Sequence, residues 1–253
     1  MKNNQIEKAE YQLQRLDKIP RGNTCRGVNK TIIAYLLSQQ IKLRRFLDIP
    51  CGDGDFLRTV KDFFPNAEAV GVDVMLPRHS LGAEFVQANA SSKLPFAKNQ
   101  EFDLITSVSG VMEFDNTLYF FEQLKELLKP DGTLVVTNDN LLTIQDRFLY
   151  LLFGRTRQYR TLIAFDKPSW KIISIQNLRR ILWEAGFEIE KIEYVPVISK
   201  EWLWLPLALP IYLTQWIYLK TSENEISLQE KKQVLPFVSL FSRHYVLFCR
   251  HKS

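Results

Sequence analysis

From residue 45 onward, short apolar runs alternate with amphipathic stretches. Residues 45–49, 67–72, 83–88, 102–108 and 133–137 are rich in Val, Ile, Leu and Phe and read as strands, whereas 55–64 and 118–128 space their apolar residues as helices do. Several of these strands are apolar at consecutive positions, the mark of burial on both faces, and their alternation with helices predicts a parallel sheet covered on both sides. Ahead of this unit, 28–43 reads as a helix, and 5–19, with Ile6, Tyr11, Leu13 and Leu16 at helix-compatible spacing, as another that ends at Pro20-Arg21-Gly22-Asn23. Lys129-Pro130-Asp131-Gly132 is a turn signal. Beyond it the order loosens into a helix at 141–152, a basic loop at 154–169, a helix at 175–185 stopped by Gly186, and a strand at 187–195. Residues 245–249 form a buried-strand pattern, and 250–253 read as a solvated tail.

The first strand ends on Asp48 and passes through Ile49-Pro50-Cys51-Gly52-Asp53-Gly54 into a helix. Glycine lets bare backbone approach a ligand without a Cβ clash, and the new helix offers unpaired N–H groups. Open parallel sheets bind ligands at this carboxyl edge. Asp73, nineteen positions after Gly54, closes the next strand, where a carboxylate accepts both hydroxyls of a ribose. That much suits NAD as well. The dinucleotide fingerprint needs a third glycine where this chain has Leu57, and Asp48 would sit close to a negative pyrophosphate.

Further motifs follow in order: Phe85-Val86-Gln87-Ala88-Asn89-Ala90 with Leu94-Pro95-Phe96, Phe102-Asp103-Leu104-Ile105-Thr106-Ser107, and Leu127-Leu128-Lys129-Pro130-Asp131-Gly132-Thr133-Leu134. Across most of residues 45–195 the chain resembles the class I S-adenosylmethionine (SAM)-dependent methyltransferases of the small-molecule branch. The resemblance implies an α/β fold with a doubly wound, mostly parallel seven-stranded sheet, an N-terminal helical cap over 1–44, and insertions at 139–173 and 197–242. It implies SAM as donor and S-adenosylhomocysteine (SAH) as product. It also places Asp48, Cys51, Gly52, Gly54, Asp73, Val74, Met75, Asn89, Ala90 and Ser107 around the cofactor, with Asn89 beside the adenine amino group and Val74 and Met75 covering the ring. Relatives with a Glu-His pattern carry histidine where this chain has Phe114, so a general base does not carry over. Glu113 is the first candidate, with Asp139 and His244 behind it.

Composition narrows the partners. The 253 residues are 46% hydrophobic and 24% charged, as one large globular domain requires. A net charge of +5 without a long Lys/Arg block argues against nucleic acid and for anionic partners or membrane surfaces. Cys25, Cys51 and Cys249 are far apart and form no C-x-x-C pair, which points to a reducing, cytoplasmic setting; His79, His244 and His251 are equally scattered, so no metal site is expected. Residues 1–20 lack the apolar core of a secretory signal.

Two segments bear on the acceptor. Arg147, Arg155, Arg157 and Arg160, interleaved with Tyr150 and Tyr159, form either a solvated basic loop or a site for an anionic acceptor such as a phosphorylated or uronic sugar, a lipid-linked intermediate or a carboxylated metabolite. In the second reading Arg147, Arg155, Arg157 and Tyr159 bind substrate. Residues 202–219 carry no charge and three of the five tryptophans, a length that reaches the transmembrane threshold, but Pro206 and Pro210 interrupt them. If 187–195 and 245–249 pair in one sheet, a single crossing between them is excluded. A substrate lid, a dimer surface, a patch at the inner face of the membrane, and a core helix remain open, as do monomer and dimer. The expected activity is methyl transfer from SAM to a small or lipid-linked acceptor, most simply at oxygen. The rivals are a nicotinamide-dependent oxidoreductase and a non-catalytic SAM-fold protein held at a membrane.

Overall fold

The computed structural model describes residues 14–97, 101–160, 162, 171–195, 199–222 and 226–252. Residues 14–17 are helical, and most of the segment expected as the first helix lies outside the described residues. The order is then α1 (Val28–Ser38), β1 (Arg45–Asp48), α2 (Asp55–Phe63), β2 (Glu68–Asp73), β3 (Glu84–Gln87), β4 (Phe102–Ser107), α3 (Thr117–Leu127), β5 (Leu128–Asp139), α4 (Ile144–Phe153), α5 (Ile175–Glu184), β6 (Phe187–Tyr194), α6 (Leu205–Thr221), α7 (Leu228–Val234) and β7 (His244–His251). Seven strands form one sheet in the order β3-β2-β1-β4-β5-β7-β6. All pairings from β3 to β5 are parallel, and β7 runs antiparallel to both β5 and β6.

Consecutive apolar residues in the strands serve opposite faces. In β1, Phe46 packs on one side with Val28, Ile32, Leu36, Phe56 and Val60 from α1 and α2; Leu47 packs on the other with Phe120, Phe121, Leu124, Leu178 and Leu182 from α3 and α5. Helix ends follow local chemistry: Asn116 and Ser174 accept backbone N–H bonds at the starts of α3 and α5.

Three sequence expectations change. The turn signal at Lys129–Gly132 does not separate helix from strand; β5 begins at Leu128 and those residues bulge from the ladder, since Phe102 pairs with Leu128 but Leu104 pairs with Thr133. The tail expected after Cys249 is instead the end of β7, where Arg250 pairs with Glu190 and the His251 ring meets the Leu128 carbonyl. The apolar 202–219 segment is mostly α6, a surface helix. Its Ala208 joins Ile144, Leu240 and Phe241 in a small separate core, Trp202 stacks on Phe241 and Trp204 on Phe148, while Leu209 and Leu213 are more than half exposed. No helix among the described residues is long and apolar enough to cross a membrane. Pairing of β6 with β7 returns the chain to the same sheet on either side of α6.

Candidate functional site

The carboxyl ends of β1, β2 and β4 open onto a cavity of about 450 Å³. This is the edge where strand order reverses, β1 neighbouring both β2 and β4, and where open sheets place ligands. The turn after β1 sits close to its neighbours: the Cys51 N–H donates to the Val72 carbonyl and the Gly54 N–H to that of Cys51. Gly52 has φ +51° and Gly54 φ +76°, both in the left-handed region that side chains rarely adopt. A Cβ on Gly54 would also lie 2.3 Å from Leu81 Cδ2.

Six carboxylates line this cavity, those of Asp48, Asp53, Asp55, Asp73, Glu113 and Asp115, and among the described residues no lysine or arginine does, although Arg78, Arg58 and Lys171 pair with Asp53, Asp55 and Asp115. Asp73 accepts the Gly52 N–H at 2.8 Å and the Met75 N–H at 2.9 Å, so one side chain ties the glycine turn to the rim after β2. Asp48 is buried, accepts the Thr106 hydroxyl at 2.6 Å, and forms no ion pair among the described residues. Burial lifts its carboxyl to about 7, against the lowering bond from Thr106 and with further raising by the Asp73 charge. The Cys51 thiol is pushed up to about 12 by burial and by Asp48 and Asp73, and stays protonated at neutral pH.

Of the ten residues expected around a cofactor, Asp48, Cys51, Gly52, Asp73, Val74, Met75, Asn89 and Ala90 border the cavity, with the Val74 and Met75 side chains exposed at its mouth. Asn89 Oδ1 also accepts the Ser91 N–H. Gly54 and Ser107 do not border it. Gly54 caps the start of α2 instead, and the Ser107 hydroxyl, at the end of β4, is buried without a partner among the described residues; Val108 and Ser109 form the wall there. Glu113 is on the wall, at the end of a short 3₁₀ turn, and beside it Phe114 packs on Phe120 with ring centroids 4.4 Å apart.

The arginine-rich segment lies elsewhere. Arg157 forms a bidentate pair with the buried Asp146 carboxylate, Arg147 donates to the Leu142 carbonyl and to Gln215, and Tyr159 is buried; none of them, nor Arg155, borders the cavity. Burial raises the Tyr159 phenol above its ordinary value and lowers the Arg147 guanidinium.

Sequence reasoning missed two groups on the wall. The first is the N-terminal segment Gly22, Asn23 and Thr24, with Asn29 of α1, whose buried Oδ1 has no partner. The second is Ser109, which joins two residues considered separately: its Oγ is 3.1 Å from His244 Nε2, and His244 Nδ1 is 3.1 Å from Asp139 Oδ1. A Glu-His search would not find a histidine 135 residues away on an antiparallel strand.

The lining fits SAM. Asp48 and Asp73, both buried and without an ion pair among the described residues, suit a cationic amino acid end and a ribose diol; a pyrophosphate beside them would meet like charge. Comparison with known proteins agrees. A family model described as "Methyltransferase domain" matches residues 23–192. An uncharacterized protein of Methanocaldococcus jannaschii, MJ1252, is 31% identical over 177 residues, 68% of this chain and 65% of that protein. The demethylmenaquinone methyltransferase of Thermus thermophilus is 32% identical over 103 residues, 37% of this chain and 46% of its own. The chain therefore spans less than two thirds of the length of these curated relatives. Among solved structures, the 1,6-didemethyltoxoflavin-N1-methyltransferase of Burkholderia thailandensis, with bound 1,6-didemethyltoxoflavin and S-adenosylhomocysteine, shares the fold with a TM-score of 0.54 at 13% identity, covering 90% of this chain and 80% of that one. By its family match and the sheet order, the chain belongs to the class I SAM-dependent methyltransferases.

Proposed function

We propose that this cavity binds SAM and that the chain transfers its methyl group to a small or lipid-linked acceptor presented beside Ser109, Glu113 and the N-terminal segment. The observation that carries the reading is Asp48 at the cavity wall beside Asp73, a buried carboxylate that lacks a cationic partner among the described residues. When bound, SAM supplies an electrophilic methyl group on a sulfonium. In this reading Asp73 accepts the ribose hydroxyls, Asp48 and Asn29 face the ammonium end, Val74 and Met75 cover the adenine, and Asn89 with Ala90 borders its amino edge. Methyl displacement is in line, so most of the rate comes from holding the acceptor aligned. Gly52 and Asp53 keep the donor side close to backbone, and Glu113 lies where the acceptor enters.

The acceptor end is narrowed by charge. Arg147 and Arg157 are engaged with Gln215 and Asp146, and the wall near the entrance carries Glu113 and Asp115. Lys171 pairs with Asp115, and a neutral acceptor fits this wall better than an anion. Oxygen is retained as the acceptor atom. Calorimetry should show SAH binding and no binding of NADH; the reverse result would end the methyltransferase reading in favour of an oxidoreductase.

A second reading concerns where the acceptor resides. Tyr150, Leu151, Leu152 and Phe153 of α4 and Leu205, Leu209, Leu213 and Ile217 of α6 are exposed apolar side chains on adjoining helices that share one small core. They suit contact with a bilayer surface from which a lipid-linked acceptor is taken. Wild-type protein is expected to float with vesicles containing anionic lipid, and Leu151→Glu/Leu209→Glu to remain in the load fraction. Equal flotation of the two would remove the membrane role from these helices.

A further inference from the structure

Ser109 follows β4 at a sharp turn into the 3₁₀ segment Val111–Glu113, and its φ of +56° is one that non-glycine residues rarely hold. Its own N–H donates to Thr137 Oγ1 at 2.9 Å, which fixes the turn. The strained strand-to-helix turn aims the hydroxyl at the cavity wall, as such turns do for nucleophilic serines in unrelated folds. Behind it the hydrogen bonds have one consistent direction. With a neutral imidazole, the Asp139 carboxylate accepts from His244 Nδ1–H, Nε2 accepts the Ser109 hydroxyl, and Ser109 Oγ is left to accept from Thr24 Oγ1 at 2.8 Å. The imidazole is buried and held by both partners.

We infer that Ser109, His244 and Asp139 form the proton exit of the methyl-transfer site: the acceptor's X–H donates to Ser109 Oγ as Thr24 does in this structure, and the Ser109 proton passes to His244. The inference rests on the transferase reading. The acceptor X–H bond breaks and X keeps the electron pair; its proton joins Ser109 Oγ while the original hydroxyl proton forms a bond to His244 Nε2. Asp139 stabilises the resulting imidazolium, which returns the proton to solvent. Ser109 touches the acceptor, His244 is the base acting through it, and Asp139 is a positioning residue that sets the tautomer.

The inference is testable without the acceptor, because a hydroxyl whose proton can pass to His244 also attacks an alkyl fluorophosphonate. There a Ser109 O–P bond forms, the P–F bond breaks, fluoride leaves, and the hydroxyl proton goes to the imidazole. Intact-protein and peptide mass spectrometry should find wild-type protein labelled at Ser109. His244→Gln should slow labelling roughly 10²-fold or more, and Ser109→Gly, which also relieves the backbone strain, should abolish it. Asp139→Asn should slow it too, and ¹⁵N NMR of the imidazole should show the proton moved from Nδ1 to Nε2, a change that a purely structural role for Asp139 would not produce. No labelling at Ser109, or labelling within about threefold of wild type in His244→Gln, overturns the relay. Binding of SAH to the same wild-type protein, measured in parallel, keeps this outcome distinct from failure of the transferase reading.

Discussion

Asp73→Ala is expected to weaken SAM binding by roughly three orders of magnitude, read by isothermal titration calorimetry at pH 8. Two charge-assisted bonds to ribose hydroxyls, at about 1.5–3 kcal/mol each, account for such a loss, since about 1.4 kcal/mol is one decade. The variant also loses geometry, because Asp73 accepts from both Gly52 and Met75 and so fixes the glycine turn against the β2 rim. Asp73→Asn separates these effects: it keeps the volume and one acceptor oxygen but turns an NH₂ toward one of two backbone donors. It should bind SAM more tightly than the alanine variant and more weakly than wild type. Wild-type affinity in Asp73→Ala would show that the donor lies elsewhere.

SAM affinity is also expected to rise with pH, by up to tenfold per unit until about pH 7, and then to level off. The cause is Asp48, whose carboxyl is raised to about 7 chiefly by burial. A raised acid stabilises the free protein below its unfolded value of 3.8, and that contribution is lost as pH climbs through 7. A cationic ligand beside Asp48 favours the ionised form, so binding below pH 7 must release a proton. Titrations at pH 6 in buffers of different ionisation enthalpy should reveal that release, and Asp48→Asn should abolish it and flatten the profile. Above pH 8 the ligand's own amino group deprotonates and affinity declines again. A flat profile from pH 5.5 to 7.5 in the wild type would mean that Asp48 does not face the charge.

The donor half of the site was legible in the sequence because its determinants are local. Asp48, the two glycines and Asp73 sit at strand ends that apolar runs mark on their own, and parallel pairing of β1 with β2 brings those ends together. Two of the expected residues sit off the cavity wall because of chemistry at element boundaries. Gly54 and Ser107 were assigned to the cofactor from their motif positions, yet neither borders the cavity: the first opens helix α2 and the second has a buried hydroxyl. The wall around Ser109 was not legible, because it is assembled over long separations. Arg157 in the sequence is one more basic residue; only the fold reveals the buried Asp146 that occupies it. Ser109 lies in the turn after β4, Asp139 ends β5 and His244 begins β7, and no spacing rule joins them. Phe114 looked like a lost base, whereas a histidine reaches the same end of the sheet from β7.

The position of β7 has a consequence for how the chain comes to be folded. Of the seven strands it is the one made after the other six, yet it lies between β5 and β6 and pairs with six residues of β5, from Leu134 to Asp139. Until residues 244–251 leave the ribosome, β5 presents a free, strongly apolar edge of the kind that recruits other chains. β7 acts as a keystone, closing that edge and delivering His244 beside Ser109 in a single event. A nascent chain can thus assemble the β1–β2 end of the cavity early, but gains the Ser109–His244 contact and its protection from aggregation together, when residues 244–251 emerge.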